Sequence, residues 1–238
     1  MQLSPGLRRI GSDIVPSYLV ADQQGVTIVD AGLSGHWSEL ATELEEMGRV
    51  WDDIKGLVLT HGDTDHVGFA ERLRREHEIP IYIHEADAAQ ARGESPKKNP
   101  PWGRFKVGPL LGFLWYAGRR GGMKTESVGD VVPVSDGQTL DLPGNPRVIH
   151  LPGHSPGSVA YHFPAVSALF VGDALTTRHV LTGEEGPQPA PFTLEPEQAM
   201  ESLRRLEDVD ADWLLPGHGP PWTGGVAEAV RRTREFAG

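Results

Sequence analysis

Cysteine is missing from all 238 residues. That absence excludes a disulfide-stapled fold, a thiolate-bound zinc site and a cysteine nucleophile at one stroke. No apolar run approaches the roughly 20 residues a membrane-crossing helix needs. The opening residues, Met1-Gln2-Leu3-Ser4-Pro5-Gly6-Leu7-Arg8-Arg9, lack the apolar core of a secretory signal, so the expected location is cytoplasmic, without stable membrane insertion. An excess of positive charge is also lacking: the net charge of −11 argues against nonspecific nucleic-acid binding. The length suits one large domain over residues 1–238.

What the chain does have is a dense set of metal-binding groups. After the apolar run Leu57-Val58-Leu59 comes Thr60-His61-Gly62-Asp63-Thr64-Asp65-His66-Val67-Gly68. Imidazole nitrogen suits zinc, iron, cobalt and manganese, and carboxylate oxygen suits the harder ions among them. Ligands this closely spaced need an irregular loop, and the flanking glycines permit tight turns. Taken singly, each residue reads as ordinary loop polarity. The pattern repeats, however, in Leu151-Pro152-Gly153-His154, in Leu169-Phe170-Val171-Gly172-Asp173 and in Leu214-Leu215-Pro216-Gly217-His218. Each block presents a His or Asp from the end of a short apolar stretch, where a packed scaffold can hold it rigidly.

These four blocks, in this order, resemble the metallo-β-lactamase superfamily, whose first motif is Thr-His-x-His-x-Asp-His. The resemblance covers most of the chain, with one departure: Asp63 stands where the family has its second histidine. It implies that His61, Asp63 and His154 hold one metal, that Asp65, His66 and His218 hold a second, and that Asp173 bridges them. Two divalent ions are therefore expected, zinc first, with iron or manganese made more accessible by the extra carboxylate. Three aspartates leave two such ions one net positive charge instead of two, a slightly weaker Lewis acid. Asp63, shorter than histidine, has two readings: a ligand, or a hydrogen-bond partner of a neighbouring group. Asp30, at a strand end before Ala31-Gly32, is in this family a support behind the metal loop.

The element pattern agrees with the αββα sandwich that the resemblance implies, two mixed sheets between outer helices. Strands are expected at Tyr18–Val20, Val26–Val29, Leu57–Leu59, Ile79–Ile83, Arg147–Leu151, Val159–Phe163, Leu169–Val171 and Trp213–Leu215. Helices are expected at Trp37–Met47, Val67–Glu78, Glu85–Ala91, Pro196–Glu207 and Val226–Phe236.

Residues 95–125 stand apart as an insertion. They hold Lys97, Lys98, Arg104, Lys106, Arg119, Arg120 and Lys124, with no acidic residue; setting these seven aside from the net −11 leaves −18 on the rest. Trp102, Phe105, Leu110, Leu111, Phe113, Leu114, Trp115 and Tyr116 accompany them. Three readings stand: a lid favouring an anionic or partly apolar small-molecule substrate, a packing or homodimer surface, and a membrane-surface contact. Among the other histidines, His84 is a strand-end residue near the site, and His179 edges the pocket. His36, His77, His150 and His162 read as surface or core.

The resemblance implies hydrolysis by metal-activated water, with Asp65 as the catalytic residue that orients the water and receives its proton. A small ester, lactone or thioester is the expected substrate. A β-lactamase-type amide hydrolase, a di-iron redox protein and a noncatalytic ligand-binding module are the alternatives. With roughly 20 residues after His218, the helical substrate domain of the glutathione thioesterase branch is not expected.

Overall fold

The computed structural model describes residues 1–95 and 103–237. Its first sheet takes seven strands in chain order: β1 (Gln2–Ser4), β2 (Leu7–Gly11), β3 (Pro16–Asp22), β4 (Gly25–Val29), β5 (Ile54–Val58), β6 (Ile81–His84) and β7 (Val132–Val134). Pairing is antiparallel from β1 to β4 and parallel from β4 to β7. The second sheet uses β8 (Arg147–His150), β9 (Val159–Phe163), β10 (Ala168–Gly172) and, after the small β11 (Thr176–Arg178) and β12 (Glu185–Gln188) pair, β13 (Trp213–Pro216). Its order is β13-β10-β9-β8, parallel only between β10 and β13.

Side-chain alternation sorts these strands into three cores, since successive residues of a strand face opposite ways. In β3, Tyr18 and Val20 point between the sheets and Leu19 points outward. In β10, Ala168 and Phe170 point inward while Leu169 and Val171 point outward. The central core joins Tyr18, Val29 and Val58 of the first sheet to Tyr161, Phe163 and Phe170 of the second. Outside the first sheet lie α1 (Trp37–Glu46), α2 (Ala70–His77) and α3 (Glu85–Ala91), with Leu40, Leu44, Leu73 and Ala88 buried against it. Outside the second lie α5 (Pro196–Ser202) and α6 (Val226–Ala237). The helix between them in sequence, α4 (Val107–Arg119), buries none of its side chains fully. The layers are thus helix, sheet, sheet and helix, as the sequence implies.

Two buried hydroxyls cross between the sheets near their common end. Tyr18 Oη donates to the Pro216 carbonyl (3.0 Å) and Tyr161 Oη to the Leu59 carbonyl (3.1 Å). Together with the Val159 N–H to Thr60 carbonyl bond (2.9 Å), they fix the ends of β5, β9 and β13 relative to one another.

Several elements differ from the sequence expectation. The helix expected from Val67 begins at Ala70, and the one expected over Pro196–Glu207 divides into α5 and a 3-10 turn at Leu203–Leu206. β1 and β2 were not anticipated, because Leu7-Arg8-Arg9-Ile10 carries two adjacent cations. Each finds an acidic partner supplied by the fold or the next turn: Arg8 pairs with Glu43 and Glu46, and buried Arg9 with Asp13 (2.7 Å). Among the described residues, no helix is long and apolar enough to cross a membrane. Lys97, Lys98 and Trp102 of the basic, aromatic stretch lie outside the described residues.

Candidate metal centre

The loop after β5 delivers His61, Asp63, Asp65 and His66 to the edge where both sheets end. The turn after β8 delivers His154, the residue after β10 is Asp173, and His218 follows β13. All seven residues singled out in the sequence converge there. They form three overlapping groups whose ligand atoms lie within 4.8 Å of one another: His61, Asp63 and His154; Asp65, His66 and His218; and His61, His66 and Asp173. Within the first group, Asp63 Oδ2 lies 3.2 Å from His154 Nε2 and 3.5 Å from His61 Nε2. On the other side, His218 Nε2 lies 3.5 Å from Asp65 Oδ2 and 3.2 Å from Asp173 Oδ2. Asp173 stands between the groups, with Oδ2 3.7 Å from His154 Nε2 and Oδ1 3.7 Å from His66 Nε2.

The surroundings fix which nitrogen each histidine offers. His66 Nδ1 donates to Asp30 Oδ2 (2.9 Å), and His218 Nδ1 donates to the Ile14 carbonyl (2.5 Å). Thr193 Oγ1 gives its own proton to the Ala190 carbonyl, so it accepts from His154 Nδ1 (3.2 Å). Thr60 Oγ1 donates to Asp30 and in turn accepts from His61 Nδ1 (3.0 Å). Every Nδ1 proton is accounted for, which leaves four Nε2 lone pairs aimed at the carboxylates. Such outer partners commonly orient metal-binding histidines.

Lone pairs and carboxylate oxygens at these separations repel unless a proton or a cation sits between them. His61 Nε2, His66 Nε2 and Asp173 Oδ1 are buried with no hydrogen-bond partner among the described residues. Ligands about 2.0–2.1 Å from a tetrahedral ion stand roughly 3.3 Å apart, close to the spacings found. Electrostatics give the same reading. Burial alone would depress the His66 imidazole, yet Asp30, Asp173 and Asp65 raise it to about 10. Likewise His218, against burial, is raised to about 9 by Asp173 and Asp65. Asp173, although burial opposes ionisation, is held far below the carboxylate range by His218, His66 and His154. The donor set fits divalent ions.

Backbone geometry makes room for this crowding. A Cβ on Gly217 would stand 2.3 Å from Asp173 Oδ1 and 2.6 Å from His66 Cε1, so only glycine fits before His218. Asp30, expected behind the metal loop, is there: it adopts φ 59° and accepts the Thr60 N–H (2.8 Å) as well as the His66 bond.

Of the remaining histidines, His84 is structural. Its Nδ1 accepts the Ala86 N–H at the start of α3, and its ring stacks on His150 at 4.1 Å. His179 follows β11, where burial holds its imidazole below the ordinary value against the pull of Glu184. His36 is fully buried, accepts the Leu33 N–H and meets Tyr116 Oη of α4 at 3.0 Å. The residue that sequence reasoning missed is Asp87. Fully buried, it accepts from the Gly62 N–H (3.1 Å), the Gly157 N–H (2.7 Å) and Ser155 Oγ (2.6 Å), tying two ligand-bearing loops to α3. Its only sequence signal is a polar face, Asp87 and Gln90, on an otherwise alanine-rich helix.

Over the cluster lies α4. The Phe113 ring meets His218 edge-on, with centroids 6.5 Å apart. Three nearby cations face protein acids: Lys106 lies 3.2 Å and Arg104 3.6 Å from Glu184, and Arg120 pairs with Glu39.

Comparison with known proteins gives the same picture. The family model described as "Metallo-beta-lactamase superfamily" matches residues 10–218. The chain is 28% identical to the probable metallo-hydrolase YflN of Bacillus subtilis over 215 residues, 87% of this chain and 80% of that protein. It is 26% identical to the hydroxyacylglutathione hydrolase GloC of Haemophilus influenzae over 155 residues, 65% of this chain and 63% of that one. Among solved structures it is similar to TTHA1623 in a di-iron-bound form, with 27% identity and a TM-score of 0.66 over 96% of this chain and 98% of that one.

Proposed function

Because the chain belongs to the metallo-β-lactamase superfamily, we propose that it is a binuclear metal-dependent hydrolase acting on a small ester, lactone or thioester. Membership supports a metal-binding hydrolase; the substrate class and the two-ion count are the proposal. The observation that carries it is the meeting of four inward-facing Nε2 lone pairs with three carboxylates around orphaned, buried polar atoms.

Divalent ions bound there would supply Lewis-acid polarisation and water activation at neutral pH. His61, Asp63 and His154 would hold one, Asp65, His66 and His218 the other, with Asp173 shared. Asp65 is the candidate catalytic residue. Its carboxylate is less enclosed than Asp173 (21% against 6% side-chain exposure), which leaves an oxygen able to orient water and take its proton. No Ser or Cys nucleophile enters this scheme.

Substrate preference follows from α4. Phe113 offers an apolar wall beside His218, whereas Arg104, Lys106 and Arg120 engage Glu184 and Glu39. This favours an apolar acyl portion over a strongly anionic one. GloC is a hydroxyacylglutathione hydrolase, which supports acyl transfer to water over phosphoryl chemistry. Two observations favour iron as an occupant: Asp63 replaces a nitrogen donor with a harder oxygen, and TTHA1623 was solved in a di-iron-bound form.

Elemental analysis of the purified protein, with ester, lactone, thioester, β-lactam and phosphodiester substrates run on the same batch, tests the reading. Two ions per chain and acyl hydrolysis abolished by chelation are expected. Turnover that survives complete metal removal would overturn it.

A further inference from the structure

The departure from the family motif has a partner on α3. Gln90 Nε2 donates to Asp63 Oδ1 at 2.6 Å, the one side-chain bond to that oxygen among the described residues. We propose that Gln90 is a positioning residue matched to Asp63, turning the shorter carboxylate into a ligand of the first ion; this rests on the metal centre proposed above.

A carboxylate differs from the imidazole it replaces in two ways. It is shorter, and it offers two equivalent oxygens that rotate freely about a single bond. Asp63 is also 38% exposed, so packing alone does not fix its rotation. Engaging Oδ1 with an amide donor leaves Oδ2 directed inward, 3.2 Å from His154 Nε2 and 3.5 Å from His61 Nε2.

The backbone is shaped for this contact. A Cβ on Gly62 would lie 3.2 Å from Gln90 Cγ and 3.3 Å from Gln90 Cβ, so glycine lets the loop settle on α3. The helix is itself anchored to that loop by Asp87, which accepts the Gly62 N–H. Asp87 and Gln90, three residues apart, share one helix face. Asp87 fixes the backbone and Gln90 the side chain that follows it. An imidazole at position 63 would have no need of the amide donor, so the two residues should be coupled.

The test is a double-mutant cycle read by metal affinity, using zinc titration by calorimetry with chelator competition on the full-length protein. Gln90→Met keeps the side-chain length without the donor, and Gln90→Asn keeps the amide but falls short. Each should weaken the first ion about 10- to 100-fold, the range for lost outer partners, and leave the second unchanged. In an Asp63→His background, Gln90→Met should change affinity by no more than about threefold, near the limit of additivity. Cobalt absorption at the first site should shift in the single variant and not in the second background.

Equal losses in both backgrounds would mean that Gln90 merely packs α3, and would overturn the proposal. So would unchanged affinity in both single variants with two ions bound, while the centre itself stood. Fewer than two ions in the unaltered protein would instead defeat the binuclear reading. Thermal unfolding of each variant separates lost folding from lost affinity.

Discussion

The metal-binding end and the helix that covers it are held by opposite means. At the cluster, every histidine is fixed twice: one nitrogen by Asp30, Thr60, Thr193 or the Ile14 carbonyl, the other aimed at a shared centre. The side chains are buried and come from strand ends joined through Tyr18 and Tyr161. Over them, α4 exposes Trp115, Val107 and Leu111 to 67%, 66% and 59% and is moored mainly at its ends. The moorings are the Lys106 N–H to Leu181 carbonyl bond, the Gly35 N–H to Arg120 carbonyl bond and the Tyr116–His36 contact. On the function proposed above, catalytic groups would need fixed geometry, whereas a cover over them would have to tolerate substrate entry. The comparison teaches that one edge of this fold separates positioning from access.

The contrast can be broken most severely at Asp173. Asp173→Ala removes the carboxylate shared by both ligand groups. Bound metal should fall and hydrolysis drop by about 1,000-fold or more, the loss of several kcal/mol of transition-state stabilisation. Elemental analysis and turnover report it together.

Next in size is the pH response of the α4 mooring. Burial, partly offset by Glu39, lowers the His36 pKa from 6.5 to about 4 in the folded chain. The folded state therefore binds this proton less well than the unfolded state. The stability involved is present above pH 6.5 and is lost as the pH falls toward 4. About 3 kcal/mol is at stake, at 1.36 kcal/mol per unit. Denaturant unfolding of His36→Gln should show a shallower decline through that window than the unaltered protein.

Asp30→Ala sharpens the other side. It strips His66 and Thr60 of their acceptor without removing any proposed ligand, and should weaken metal binding about 10- to 100-fold. Competition with a chelating dye would measure this. The smallest effect is expected at Phe113→Ala: metal content unchanged, kcat nearly unchanged, and KM for an apolar acyl substrate raised about tenfold. A fall in metal content instead would show that α4 helps build the centre it covers.

The convergence of these seven residues was legible in the sequence because His61, Asp63, Asp65 and His66 lie within one loop, and His154, Asp173 and His218 each follow an apolar strand. The sandwich was legible for a similar reason: strands such as Val159–Phe163 are short, apolar and bounded by turns. Arg8 and Arg9 hid β2, because the acids that pair with Arg8 lie on α1, some 35 residues away. β11 and β12 were hidden too, being brief and polar, with Gly186 and Pro187 inside β12. Asp87 and Gln90 read as ordinary helix polarity, since nothing local marks a carboxylate that will accept bonds from loops 25 and 70 residues distant.

By itself, then, the sequence determined which atoms can bind metal and which strand ends carry them, because both depend on residue type and short spacing. The tertiary structure decided which imidazole nitrogen faces inward, that the Asp63 carboxylate reaches its neighbours, and that cations near α4 turn to Glu184 and Glu39. Those outcomes depend on distances between segments far apart in the chain, which packing sets and residue order does not.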